Sequence, residues 1–252
     1  MRKEQEQFSM ISNKQTKAFY QKHQTKQESN TIPFNATKIK RQIDLIPKTR
    51  NQEAYILALT NPSTDVVVVS GPAGTGKTYL AMLAAIKALK NKECERIILS
   101  RPAVGVDDEK HGFLPGDLNQ KMEPWTRPLL DVLREYYSVK EIEYMLDEQI
   151  VEIAPLAFMR GRTFKNSWII LDESQNATPS QMKMILTRIG ENSKIIVTGD
   201  IEQTDRKRLD NGLLDLEDRL KKHNVPGLEI CKFDLKDVQR HSIIEHVIKM
   251  YN

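Results

Sequence analysis

Four consecutive valines, Val66–Val69, form a run that is apolar on both faces, and such a run predicts a strand inside a parallel sheet. The same reasoning marks Arg96–Ser100 (RIILS), Ile150–Ile153, Ser167–Leu171 (SWIIL), Lys194–Thr198 (KIIVT) and Leu228–Phe233 as strands. Helix-like patterns lie between them: Glu53–Leu59, closed by Asn61-Pro62; a run after Thr78 to about Leu89; then Leu129–Tyr137, Lys140–Glu148, Pro179–Ile189 and Asn211–Lys222. A last helix is expected to about Met250. Strands alternating with helices predict an α/β fold, a mostly parallel sheet flanked by helices on both faces.

The first part of the chain reads differently. Residues 1–30 are rich in Gln, Lys and Ser without periodicity, and residues 31–47 carry two prolines and more apolar positions, as in an extended docking segment. The expected division is a basic low-complexity arm over 1–47 and one domain over 48–252. Net charge is +4 across 252 residues, yet residues 1–50 hold eleven Lys/Arg against four Asp/Glu, leaving 27 against 30 for the rest. A basic arm on a near-neutral body fits a polyanionic partner, and equally a solvated tail. Cys94 and Cys231 lack metal-type spacing, so reduced thiols are expected. No stretch free of charged residues exceeds 11 residues, well short of the ~20 needed to span a bilayer, so a cytoplasmic location is expected.

The valine strand runs straight into Gly71-Pro72-Ala73-Gly74-Thr75-Gly76-Lys77-Thr78 and then a helix. Strand, glycine-rich turn and helix start together make a phosphate-binding loop, in which backbone N–H groups and the positive end of the helix dipole face the phosphates. Lys77 is expected at the β- and γ-phosphates, and Thr78 on Mg2+ through its hydroxyl. The SWIIL strand ends in Asp172-Glu173, placing Asp172 in the Mg2+ shell and Glu173 beside the attacking water. KIIVT ends in Gly199-Asp200, and Gln203 just beyond is a candidate sensor of the γ-phosphate. A further strand between the valine strand and the Asp-Glu strand, taken to be RIILS, points to the RecA-like branch of P-loop folds. The expected cofactors are ATP and Mg2+.

After RIILS comes a Gly- and Pro-punctuated stretch, RPAVGVDDEKHGFLPGDLNQKMEPWTRP. Its Arg101, Lys121, Trp125 and Arg127 suit a single-stranded nucleic-acid channel, where cations follow the backbone and aromatics stack on bases. Arg160 and Arg162, in the turn PLAFMRGR, join that set. Alternatively, the aromatics are core residues and the charges are solvated. Three function classes follow: an ATP-driven RNA or single-stranded DNA translocase or helicase, a nucleotide-gated RNA- or protein-binding switch that does not move along its partner, and, more remotely, a small-molecule kinase. The Asp172-Glu173 pair argues against the kinase.

GPAGTGKT, SRPAVG, GFLPGDLNQKMEPWTRPLLD, MRGRTFKNSWIILDESQNAT, TGDIEQTD and DVQRH together resemble the PhoH-like family of P-loop ATPases over roughly residues 48–252. That family is similar to the first RecA-like domain of superfamily 1 helicases. The resemblance implies ATP hydrolysis, binding of RNA or single-stranded nucleic acid and, in some members, helicase activity and hexameric homo-oligomers. It also implies that Gln52 reads adenine and that Arg240, in DVQRH, acts as an arginine finger on ATP held by a neighbouring subunit. The chain departs from two-domain helicases in having room for one such domain, and its roughly 50 basic, low-complexity residues ahead of the core give no ground to expect a nuclease module.

Overall fold

In the computed structural model, residues 42–102, 127–204, 210–239 and 250 are described. The expected arm over 1–47 falls outside them except for its last six residues, and so does the expected final helix except for Met250. Six strands form one sheet: β1 (Val66–Ser70), β2 (Arg96–Ser100), β3 (Val151–Ile153), β4 (Ser167–Leu171), β5 (Lys194–Gly199) and β6 (Leu228–Lys232). Their order is β3-β2-β4-β5-β1-β6, and every pairing is parallel. The helices are α1 (Arg50–Thr60), α2 (Lys77–Lys90), α3 (residues 127–134), α4 (Val139–Asp147), α5 (Pro179–Leu186) and α6 (Gly212–Leu220).

The period-two alternation of the strands divides the apolar side chains between two cores. Val67, Val69, Ile97, Leu99, Trp168, Ile170 and Ile196 face one cluster with Tyr55 and Leu59 of α1, most of the apolar face of α2, and residues of α3 and α4. Val68, Ile98, Ile169, Leu171, Ile195 and Val197 face the other, with Met182 and Ile185 of α5 and Leu213 of α6. Both faces are therefore covered, as continuous apolar runs require. Cys94 and Cys231 are buried, free thiols, and burial pushes them up to about 12 and about 11 respectively.

One expectation is corrected. The strand lying between β1 and β4 in the sheet is β5, whereas RIILS (β2) pairs with the far side of β4. Chain order does not give sheet order, because each helical crossover can carry the chain past a neighbour. The α/β class with a parallel sheet stands. The result is that β1, β5 and β4 bring their C-terminal ends together, which is where ligands collect in such sheets.

Candidate functional site

The loop after β1 is shaped by close approach. Gly71 has φ +149°, and a Cβ there would meet the Phe233 carbonyl oxygen at 2.5 Å, so only glycine lets the loop pass under the end of β6. Gly76, with φ +86°, is the N-cap of α2. Thr75 is fully buried and its hydroxyl donates to Pro72 O at 2.9 Å, closing the turn. The Lys77 ammonium donates to the carbonyls of Gly71 (2.6 Å) and Pro72 (2.7 Å), so it is held at the loop.

The loop is also gripped from two sides. Gln52, 4% exposed, accepts from Lys48 N at 2.8 Å and donates to Thr75 O at 2.9 Å, and the buried Tyr55 hydroxyl donates to Lys77 O at 3.3 Å. On the other side, Phe233 N donates to Ser70 O and Gln239 N to Gly74 O, both at 2.8 Å. Asn51 ties the two grips together by donating to Asp237 Oδ2 at 2.8 Å. Although buried, the Asp237 carboxyl is held below its usual range by bonds from Asn51, Thr49 and the Asp234 amide.

The Thr78 hydroxyl donates to Asp172 Oδ1 at 2.8 Å, and Thr198, from β5, donates to the same oxygen at 2.6 Å. A hydroxyl and a carboxylate at the start of α2 and the end of β4 form a hard-oxygen pair beside a phosphate loop, which fits Mg2+. Glu173 follows in a left-handed conformation (φ 51°, ψ 41°), costing a non-glycine residue about 1–2 kcal/mol. Its carboxylate receives Gln175 Nε2 on Oε2 at 2.6 Å and the Arg101 guanidinium near Oε1 at 3.3 Å. A cavity of about 270 Å³ lies here, lined by Gly76, Lys77, Thr78, Asp172, Glu173 and Gln203 among others. A larger cavity of about 800 Å³, lined by Asp65 and Lys194, lies at the N-terminal ends of β1 and β5 and has no phosphate loop.

The structure thus brings together Gly71–Thr78, Asp172, Glu173 and Gln203. Gln52 touches the loop's backbone without being among the residues that line the smaller cavity. Arg101 reaches Glu173. Arg127 is exposed at the first described residue of α3, and Arg160 is exposed beside the β3–β4 turn. Arg162 forms a two-pronged ion pair with Glu152, which raises its pKa, and lies 4.6 Å over the Phe164 ring. Lys121, Trp125 and Arg240 lie outside the described residues.

Two residues at the site were not foreseen. Thr198 is one. The other is Gln175, 1% exposed, which also donates to Gln203 O at 3.1 Å and accepts from Asp200 N at 3.0 Å. Gly199 leaves space for it, since a Cβ there would meet Gln175 Oε1 at 2.7 Å. The only sequence signal for either was membership in the strand-end motifs DESQN and VTGD.

A family model described as PhoH-like protein matches residues 44–252. Curated relatives described as PhoH-like protein are 47% identical over 204 residues in Synechocystis and 46% identical over 206 residues in Bacillus subtilis, each alignment covering 81% of this chain. Protein PhoH of Escherichia coli K12 is 40% identical over 211 residues, 82% of this chain. The chain spans about three fifths of the length of these relatives: 61%, 63% and 58%. A solved structure, the helicase domain of Pyrococcus furiosus Hef, aligns with 76% of this chain and 39% of that one at 15% identity and a TM-score of 0.44, too loose a likeness to bear on function.

Proposed function

The chain belongs to the PhoH-like protein family, and from that premise we propose that it is a Mg2+-dependent ATPase whose turnover is coupled to RNA or single-stranded DNA. The observation that carries this reading is the Thr78–Asp172 contact at the phosphate loop, with Glu173 next in the chain and on the same cavity. On ATP binding, Lys77 exchanges the Gly71 and Pro72 carbonyls for β- and γ-phosphate oxygens. Thr78 and Asp172 hold the metal, with Thr198 orienting the Asp172 carboxylate. Bound Mg2+ supplies charge neutralisation at the phosphates. Glu173 orients the attacking water and takes its proton, while Gln203 reports the state of the γ-phosphate. Gln52 is fixed to the loop by both ends of its amide and would read adenine only by giving up its bond with Lys48 N or Thr75 O. Arg101, Lys121, Trp125, Arg127, Arg160 and Arg162 are the candidate contacts to nucleic acid. Arg240 serves a neighbouring copy of the chain in a homo-oligomer.

A second reading, a nucleotide-gated switch, draws on the Arg101–Glu173 pair, which restrains the water-activating carboxylate and favours slow basal turnover. ATP turnover with and without single-stranded RNA and DNA separates the two. The motor reading expects at least severalfold stimulation by one polymer, with an effect that weakens steeply with salt. Turnover indifferent to both polymers removes nucleic-acid coupling and leaves the switch acting through a protein.

A further inference from the structure

We propose that Phe158, with Arg160, forms a base-stacking site for single-stranded nucleic acid on the turn between β3 and β4. The inference rests on the nucleic-acid-coupled reading above and adds to it a place where one base sits. Three phenylalanines are described: Phe164 and Phe233 are each 5% exposed, whereas Phe158 is 58% exposed. That exposure is imposed by the turn. Leu156 and Met159, three residues apart in the one-turn 3-10 helix Leu156–Met159, are buried in the second core, which turns Phe158 and Arg160 outward. Phe158 N donates to Pro155 O at 2.9 Å, and Arg162 N to Met159 O at 3.3 Å. The Arg162–Glu152 pair and the contact of Arg162 with Phe164 fasten the far end of the turn.

A phenylalanine exposed on such a turn forgoes the burial that its ring would otherwise gain. A nucleobase stacked on its face recovers that burial irrespective of base identity. Arg160 supplies the second half of the site. Arg101 and Arg162 are paired with carboxylates, but Arg160 is exposed and has no ion pair or hydrogen bond among the described residues. It is therefore available to a phosphate. The flanking Ala157 and Gly161 are small, so the patch is one ring wide. That is too narrow for the core of a protein interface, but it matches one base and its phosphate.

The position also connects it to the chemistry. The turn follows the C-terminal end of β3, at the same end of the parallel sheet as the phosphate loop. Leu156 N donates to Arg101 O at 3.3 Å, and the Arg101 guanidinium is 3.3 Å from Glu173. One backbone hydrogen bond and one ion pair therefore separate the stacking platform from the water-activating carboxylate.

The test uses the full chain and fluorescently labelled oligouridylate and oligothymidylate, read by anisotropy across a salt series. Phe158→Ala is expected to weaken binding of the preferred oligomer about tenfold or more, equivalent to about 1.4 kcal/mol, with the salt slope unchanged. Phe158→Trp is expected to bind as the wild type does. Arg160→Gln is expected to weaken binding and lower the salt slope by about one contact. The thermal midpoint of each variant verifies folding, since both side chains are exposed. If the wild type binds and Phe158→Ala binds equally well, or Phe158→Trp loses as much as Phe158→Ala, the stacking site is overturned while nucleic-acid coupling stands. If the wild type binds neither oligomer, the coupling and the site fall together.

Discussion

Gln175 uses both ends of its amide from a position 1% exposed, joining Glu173, Asp200 and Gln203. It ties the carboxylate proposed to meet the water to the segment proposed to sense the γ-phosphate. Gln175→Ala leaves the Asp200 amide unsatisfied, a cost of about 1–3 kcal/mol that should lower the thermal midpoint. If positioning is its role, kcat should fall tenfold or more with KM little changed, because the phosphate loop is intact. Gln175→Glu keeps an acceptor for the Asp200 amide but sets a second carboxylate against Glu173. Repulsion between the two like charges should displace Glu173, so kcat should fall in this variant too. A lowered midpoint with unchanged kcat would reduce Gln175 to a structural residue. Lys77, Thr78, Asp172 and Glu173 were legible in the sequence because a local backbone pattern dictates where they point. Gln175 and Thr198 were not, because each acts through a partner on another strand end.

The strands were the most legible elements: Arg96–Ser100 and Ser167–Leu171 run as the sequence implied, since burial on both faces keeps a segment apolar to its ends. Helix ends were less so. The pattern after Pro179 continues to Ile189, yet α5 stops at Leu186. Phe164 N donates to Arg188 O and Phe164 bridges Ile189, so pairing with a distant segment draws the last residues out of the helix. Sheet order was illegible for the same reason, as β5 rather than β2 fills the place beside β1. Lys194, which opens β5, shows how such packing sets a titration. Its ammonium donates to Leu59 O (2.7 Å) and Asn61 O (2.9 Å) at the end of α1, and burial lowers its pKa from the ordinary 10.5 to about 8. The neutral amine still has two hydrogens for those two carbonyls. Between about pH 8 and 10.5 the unfolded chain keeps the proton that the folded chain has released, so stability rises with pH in that window. The midpoint of the wild type minus that of Lys194→Met should therefore increase from pH 8 to 10. Parallel curves would contradict the buried titration.

Across the whole molecule, the proposed ATP site lies at the seam of one parallel sheet, where the ends of β1, β5 and β4 meet. Segments far apart in sequence, around Asn51 and around Asp237, hold the phosphate loop between them. Among the described residues no helix is long and apolar enough to cross a membrane. We propose that this seam hydrolyses ATP with Glu173 acting on the water. The most direct measurement is steady-state ATP turnover, paired with equilibrium binding of ATP in the presence of Mg2+, for the wild type and Glu173→Gln. Equal binding, and turnover lower by about 10²-fold or more, are expected of the variant. A Glu173→Gln chain that hydrolyses ATP at the wild-type rate would contradict this role for Glu173.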